Sequence, residues 1–460
     1  MLPPLLISNL SKILFCFVDQ IFISNFCGGD ALAGCFLSES LDLITDSFAI
    51  AISMAVAVNV SHAFGYGNKK EANTIFTTLF IFAIAGGFVL LAIQFIFFEP
   101  ITTLYFNDAS LHEYAKSYYV FQVIACPFFI LNHFSIQSLC AIGKTKRAII
   151  VTIVSQLINI VGDYVFMNYM DMGVAGAGLA TVLCVACSSL MYFAFLLSYK
   201  RLKFCAPNFR KISSYISPGY ANGIKYLLIG LSVAIINQLV MYFAGGSAGL
   251  QVLAIFGPIN NIAFVVVYSS RSAMMPYLGV FLAERNKKGI RYITSVYLGI
   301  IGISSLIITF FCAIFSRFFF SIFGIEYDSY QLASFRMLIC SIPIATVLEY
   351  YVNFLACIKR TGYSIVISVL NEAVIKIAIM VLMGTIWSEY GFWTAYTFAP
   401  ALTFLFSIIN FKFFYPENKK FPNYLNAQSL VFKREDADIV ASFLYHYCLA
   451  LNIKSSTSDK

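Results

Sequence analysis

The chain has 460 residues, of which 60% are hydrophobic and 11% are charged, and its formal net charge is +8. A soluble domain usually carries about 25% charged residues, so this composition excludes water as the main solvent and indicates membrane lipid as the surroundings. The basic residues stand in short loops between apolar stretches instead of along one folded surface, which argues against nucleic acid as a partner.

Apolar runs recur along the chain, and each is long enough to cross about 30 Å of hydrocarbon. Because a backbone in lipid must satisfy its own hydrogen bonds, each run predicts a helix. The sequence therefore predicts an all-α integral membrane protein with about twelve spanning helices. In chain order the predicted spans are 2–26, 34–62, 74–98, 115–141, 147–168, 174–198, 219–244, 250–281, 290–316, 331–357, 363–386 and 390–413.

The loops between the spans alternate in charge, which predicts the orientation in the membrane. Basic pairs such as Lys69-Lys70 and Lys287-Lys288 fall in every second loop, whereas the intervening loops carry acids such as Asp171. By the positive-inside rule the basic loops are cytoplasmic. We therefore expect both termini in the cytoplasm and a multi-pass protein of the plasma membrane, here a bacterial inner membrane.

The two halves of the chain repeat each other. Residues 127–144 align with residues 343–360 without a gap, and Asn68 aligns with Asn286. Because each half has an even number of spans, the halves enter the membrane with the same orientation and enclose a central cavity, and rocking one against the other gives alternating access. The predicted domains are a six-helix lobe over 1–198, a cytoplasmic linker over 199–218, a second six-helix lobe over 219–413 and a cytoplasmic tail over 414–460.

Four oxygen-bearing side chains of the first half lie at one predicted depth of the membrane. Asp19 and Asp163 lie near the outer ends of the first and fifth spans, Asn159 lies one turn behind Asp163 on the same face, and Thr181 lies at similar depth in the sixth span. Ionisable residues inside a span are costly and mark functional sites. These hard oxygen donors suit a cation such as Na+, and the carboxylates can instead carry a proton. The alternative is a set of separate helix-packing hydrogen bonds.

An acidic stripe lies in the second span. Glu39, Asp42 and Asp46 fall within about a 60° arc of one helical face. Such a stripe is too costly to face lipid, so it predicts one wall of a cavity for a cationic substrate; the alternatives are a solvated outer vestibule and an internal ion-pair network. Glu349 in the tenth span is a further candidate for this cavity. The second half has no acid equivalent to Asp163, so the predicted ion site is not duplicated.

At these residues the chain resembles the multidrug and toxic compound extrusion (MATE) family of antiporters. The matching elements are Val18-Asp19 followed by GGDALAG, then VSHAFGYGNKKEA, the Asn159-x-x-x-Asp163 pair, and MGVAGAGLAT leading into Thr181. The resemblance implies export of organic, often cationic compounds driven by a Na+ or H+ gradient. It also implies that Asp19, Asn159, Asp163 and Thr181 match the cation site of the N-terminal lobe.

The resulting hypothesis is a secondary active antiporter, not an enzyme, that exchanges organic compounds for Na+ or H+. It implies a small organic substrate, no cofactor beyond the coupling ion, and a monomeric protein. A flippase for lipid-linked precursors is the alternative within the same superfamily, but its cavity should be basic, and the acids of the second span argue against it. A receptor that signals the presence of a ligand through residues 414–460 is a third hypothesis, which depends on that tail alone.

Overall fold

The chain folds into long helices. The computed structural model describes residue 14 and residues 17–105, 108–199, 201–283, 286–357 and 360–414, and no β-strand occurs among them. The helices are α1 (17–27), α2 (Gly29–Gly65), α3 (Lys69–Ile96), α4 (Phe98–Tyr105), α5 (Ala109–Ala141), α6 (Thr145–Tyr164), α7 (Gly173–Ser198), α8 (Ile212–Phe243), α9 (Ser247–Ala283), α10 (Lys287–Ile314), α11 (Ser316–Ile322), α12 (Ser329–Cys357), α13 (Thr361–Val369) and α14 (Lys376–Phe414).

The fold class predicted from the sequence is confirmed. Within the described residues, 10 helical stretches are long and apolar enough to cross a membrane, and they follow the predicted spans from the second onward. The last stretch, Thr361–Ile409, covers two predicted spans, which are separated at Ser388, where φ 57° and ψ −147° interrupt the helix. Most of the first predicted span, and the tail from residue 415, lie outside the described residues.

The repeated asparagines mark equivalent helix starts in the two halves. Asn68 Oδ1 accepts a hydrogen bond from the backbone N–H of Glu71 at 3.1 Å, and Asn286 Oδ1 accepts one from the N–H of Gly289 at 2.9 Å. An N-cap asparagine satisfies one of the donors that the first helical turn leaves unpaired, which stabilises the helix by about 1 kcal/mol. The sequence repeat thus reflects a repeated way of starting α3 and α10.

Helix α2 is the main contact between the two halves of the chain. It packs against α5 of its own half and against α8 of the other. A Cβ added to Gly219 would lie 1.9 Å from the carbonyl oxygen of Ala51, and one added to Gly223 would lie 2.8 Å from the Ala51 Cβ. Because lipid tails are as apolar as leucine, helices in a bilayer gain little from burying apolar side chains against each other. Their association depends instead on close backbone approach of this kind.

Three clusters of buried apolar residues show which end of the molecule is closed. The largest cluster lies toward the acidic-loop end and joins both halves, with Leu32 of α2 beside residues such as Val240 and Phe323. Toward the basic-loop end one cluster, around Val56, belongs to the first half and the start of α8, and a separate one, around Tyr350, belongs to the second half. Apolar packing between the two halves is therefore most extensive at the acidic-loop end, whereas toward the basic-loop end the start of α8 packs against α2 and the remaining apolar clusters are separate.

Polar contacts reinforce the closed end. Asp30 at the start of α2 accepts hydrogen bonds from the Ser247 hydroxyl and from Gln251 Nε2, the latter at 3.2 Å. Asn25 Nδ2 of α1 donates to the carbonyl oxygen of Ile322 at 2.8 Å. Each of these bonds joins one half of the chain to the other, so opening this end requires breaking them.

Candidate cation site and substrate cavity

Three of the four predicted cation-site residues lie together. Asp19 of α1 is 8% exposed and Asp163 of α6 is fully buried, and the two carboxyl groups lie close to each other. Asn159 Nδ2 donates to Asp163 Oδ1 at 3.3 Å. Two carboxylates in contact repel each other unless a proton or a cation lies between them. The arrangement can therefore hold either one.

A π-helical turn begins close after Asp163. Helix α6 ends at Tyr164, and residues Val165–Tyr169 form the π-helical turn. A Cβ added to Gly162 would lie 3.0 Å from the Ala180 Cβ, so α6 and α7 approach closely beside the carboxyl pair. Single π-helical turns are rare and are frequent at functional sites. The glycine that precedes Asp163 thus permits the helix contact, and the π-helical turn begins two residues after the acid.

Thr181 follows Ala180, the residue that packs against Gly162 beside the carboxyl pair. The Thr181 side chain itself is not hydrogen-bonded to the pair. It lies on α7 and is half-buried. Among the described residues its hydroxyl forms no hydrogen bond with Asp19, Asn159 or Asp163. No three His, Cys, Asp or Glu side chains of this part of the chain converge as a metal site either. The site that the structure brings together has two carboxyl groups and one amide.

Gln20 lies next to Asp19 of the cation site and close to Glu39 of the acidic stripe. It was not among the residues predicted from the sequence. Its side chain is 4% exposed and lies close to Glu39 of α2, which is within electrostatic range of Asp19. Asp42 is in turn within range of Glu39 and of Asp46. The stripe is half-buried and runs along α2 away from the carboxyl pair. The sequence did offer one signal for Gln20 as a site residue, which is its position directly after Asp19.

Glu349 of α12 belongs to a second charged network. Asn353 Nδ2 donates to Glu349 Oε1 at 3.1 Å, while Asn353 Oδ1 accepts from Arg271 Nη1 at 2.8 Å. Lys225 of α8 and Arg271 of α9 both lie within electrostatic range of Glu349. Glu349 was predicted from the sequence and Arg271 was not, although an arginine in the predicted span 250–281 was a visible signal.

The fold and these charges define a class of protein. Two helical halves that repeat each other, meet at one end of the membrane and carry buried charges are the architecture of a secondary transporter. The family model for MatE matches residues 4–165 and 223–386, one segment in each half. The chain belongs to the MatE family, a family of multidrug efflux transporters of the membrane.

Curated proteins that the chain resembles are also named as multidrug resistance proteins or transporters. The chain is 24% identical over 306 residues to the probable multidrug resistance protein NorM of Thermotoga maritima, covering 62% of each protein. It is 24% identical over 294 residues to the FAD transporter of Shewanella oneidensis, covering 60% of this chain and 62% of that protein. The matches thus span about three-fifths of the length of these curated relatives.

A solved structure has the same fold. It is the inward-facing conformation of a multidrug resistance MATE family transporter of the MOP superfamily, with a TM-score of 0.80. The alignment covers 98% of this chain and 100% of that chain at 15% sequence identity. At this identity the likeness establishes the fold.

Proposed function

We propose that the protein is a secondary active antiporter that exports organic, cationic compounds in exchange for Na+ or H+ by alternating access. The observation that carries this proposal is the contact between the buried carboxyl groups of Asp19 and Asp163. A bound cation or proton screens their repulsion, and its release restores the repulsion between α1 and α6. Cation occupancy therefore biases helix packing, which is the physical requirement for coupling.

The acidic stripe of α2 supports a cationic substrate. Glu39, Asp42 and Asp46 follow one another along α2 away from the carboxyl pair, each within electrostatic range of the next, and a cation placed beside them gains from several charges at once. The same acids disfavour an anionic lipid pyrophosphate and so the flippase hypothesis. The receptor hypothesis depends on a tail outside the described residues.

We further propose an orientation in the membrane and a division of the chain into two lobes. The basic loops face the cytoplasm of a bacterial cell, so the described form opens inward. Residues 1–198 and 219–413 act as the two lobes of a monomer, and residues 199–218 link them. Opening the other end then requires release of the bonds that Asp30 and Asn25 make across the lobes.

Asp163→Asn tests the assignment. The amide keeps the size of the side chain but removes the charge that a cation or a proton must neutralise, so we expect gradient-driven export of a cationic dye from vesicles to fall to background. Glu113→Gln is the matched control, because it removes one exposed carboxyl of α5, and it should leave export unchanged. Ion-dependent export that persists in Asp163→Asn would refute the site.

A further inference from the structure

Two basic side chains lie over aromatic rings where α6 begins and α7 ends, at the basic-loop end of the first half. The Lys144 ammonium lies 4.5 Å from the centre of the Tyr199 ring. The Arg147 guanidinium carbon lies 5.6 Å from the centre of the Phe195 ring. Cation–π contacts of this kind stabilise a basic side chain without cancelling its charge. Both cations are therefore held in place and keep their attraction for an anion.

Arg201 is the third member of this basic cluster, which we define as Lys144, Arg147 and Arg201. Its Nη1 donates to the carbonyl oxygen of Ile142 at 3.1 Å, just before Lys144 in the chain. One such bond uses one of the five N–H donors of a guanidinium and leaves the others available. Within the described part of the chain, no carboxylate forms a salt bridge with any member of the cluster. The described residues thus leave its positive charge unbalanced.

Apolar surface continues from the basic cluster along both helices. The stretches Thr145–Tyr169 and Gly173–Ser198 are long and apolar enough to cross a membrane, so the cluster lies at the level of the lipid headgroups. Ile150 comes one turn after Arg147 and lies on the same helix face. Large apolar side chains are exposed below the cluster on α6 and α7, namely Ile150, Ile153, Leu157, Leu190 and Leu197. A ligand at the cluster therefore has an apolar surface beneath it.

The arginine of this cluster has no counterpart in the second half, although the two halves repeat each other. The gap-free alignment of residues 127–144 with residues 343–360 continues to Tyr363 opposite Arg147. Tyr363 is buried, and its hydroxyl donates to the carbonyl oxygen of Ser407 at 2.6 Å. The helix packing that the halves share therefore does not require an exposed guanidinium here, which points to a ligand instead of a structural role.

We propose that the basic cluster binds the phosphate of an anionic phospholipid, with the acyl chains along the exposed apolar faces of α6 and α7. Arginine matches phosphate oxygens in paired hydrogen bonds, and lysine adds a point charge. Basic pockets between transmembrane helices at the membrane surface bind such headgroups. A soluble phosphate uses the charges but not the apolar faces, so the lipid fits the whole surface. The bound lipid joins the ends of α5, α6 and α7 in the lobe that carries Asp163.

Native mass spectrometry of the purified full chain tests this site, because it resolves each bound lipid by its mass. Phosphatidylglycerol and phosphatidylcholine with identical acyl chains are titrated separately, and the dissociation constants of the first bound lipid are compared. The cluster variant combines Lys144→Gln with Arg147→Gln, and the control combines Lys288→Gln with Arg291→Gln. The control removes the same charge from exposed positions of α10, also at the basic-loop end.

Wild type should bind phosphatidylglycerol at least about tenfold more tightly than phosphatidylcholine, since each basic residue beside an anionic headgroup contributes about fivefold. The cluster variant should weaken phosphatidylglycerol binding by about tenfold or more. Its phosphatidylcholine binding should stay within about twofold of wild type, which also shows that the variant is folded. The α10 control should behave as wild type. The single variant Arg201→Gln should weaken phosphatidylglycerol binding by about fivefold.

Equal affinity of wild type for the two lipids would overturn the proposal. An equal loss in the cluster variant and the α10 control would do so as well, because it would indicate diffuse surface charge. Unchanged phosphatidylglycerol binding in Arg201→Gln would contradict the site even if the cluster variant does not fold. Competition by inorganic phosphate at the concentration of the lipid would assign the site to a soluble anion and so exclude the lipid. These outcomes do not depend on whether the chain exports a compound, so they are independent of the proposed antiport.

Discussion

At the scale of single residues, buried charge is the most informative signal in this chain. Asp19, Asn159 and Asp163 could be grouped from sequence, because the rise of a helix places them at one depth and hydrocarbon penalises unpaired charge. Thr181 shares that depth, but depth alone does not fix which way a side chain points. Arg271 was missed because its partner, Asn353, lies far away in sequence and only the folded chain brings them together.

Neutralising the stripe of α2 tests its role in substrate binding. In the triple variant Glu39→Gln, Asp42→Asn and Asp46→Asn, export of a cationic dye should fall by about tenfold or more, because each lost charge contact contributes up to about 1 kcal/mol. A neutral substrate has no such contacts, so its export should change little.

Export rates of the two substrates from the same vesicles give the comparison. Glu71→Gln, at an exposed position of α3, is the control and should alter neither rate. Equal loss for the cationic and the neutral substrate would instead favour a solvated vestibule.

At the scale of helices, hydropathy predicted the spans but not their irregularities. The spans follow from runs of apolar residues, and the interruption at Ser388 falls between two predicted spans. The π-helical turns Val165–Tyr169 and Leu370–Ile375 were not predicted, because hydropathy carries no information about a change of hydrogen-bond pattern inside a helix. Glycine contacts such as Gly219 with Ala51 could not be predicted either, since they depend on which helix lies opposite.

Gly219→Ala should destabilise the contact between α2 and α8. Its new methyl group would overlap the carbonyl oxygen of Ala51, and overpacking of this kind costs about 1–3 kcal/mol. Gly302→Ala on α10 is the matched control, because no atom lies within 4 Å of its added Cβ, and alanine favours a helix over glycine by about 1 kcal/mol.

The midpoint of thermal unfolding in detergent distinguishes the two variants. It should fall for Gly219→Ala and stay level or rise for Gly302→Ala. A midpoint for Gly219→Ala equal to that of wild type would contradict the close packing of α2 against α8.

At the scale of the whole molecule, the sequence predicted two repeated halves around a cavity but not which end is open. Both conformations of an alternating-access protein use the same residues and the same spans, so composition cannot distinguish them. The structure does so through one apolar cluster that joins the halves at the acidic-loop end and two that stay apart at the other. The two halves of the repeat share their helix starts, but they carry different charged residues.

Export under imposed gradients tests the central claim, that cation binding at the Asp19–Asp163 pair drives export. Wild-type protein is reconstituted into vesicles loaded with a cationic dye, and either a Na+ gradient or a pH gradient is imposed while dye and cation movements are recorded together. We predict that at least one gradient drives dye out as the cation enters, and that neither does so in Asp163→Asn. Equal dye movement with both gradients collapsed would contradict cation-coupled antiport.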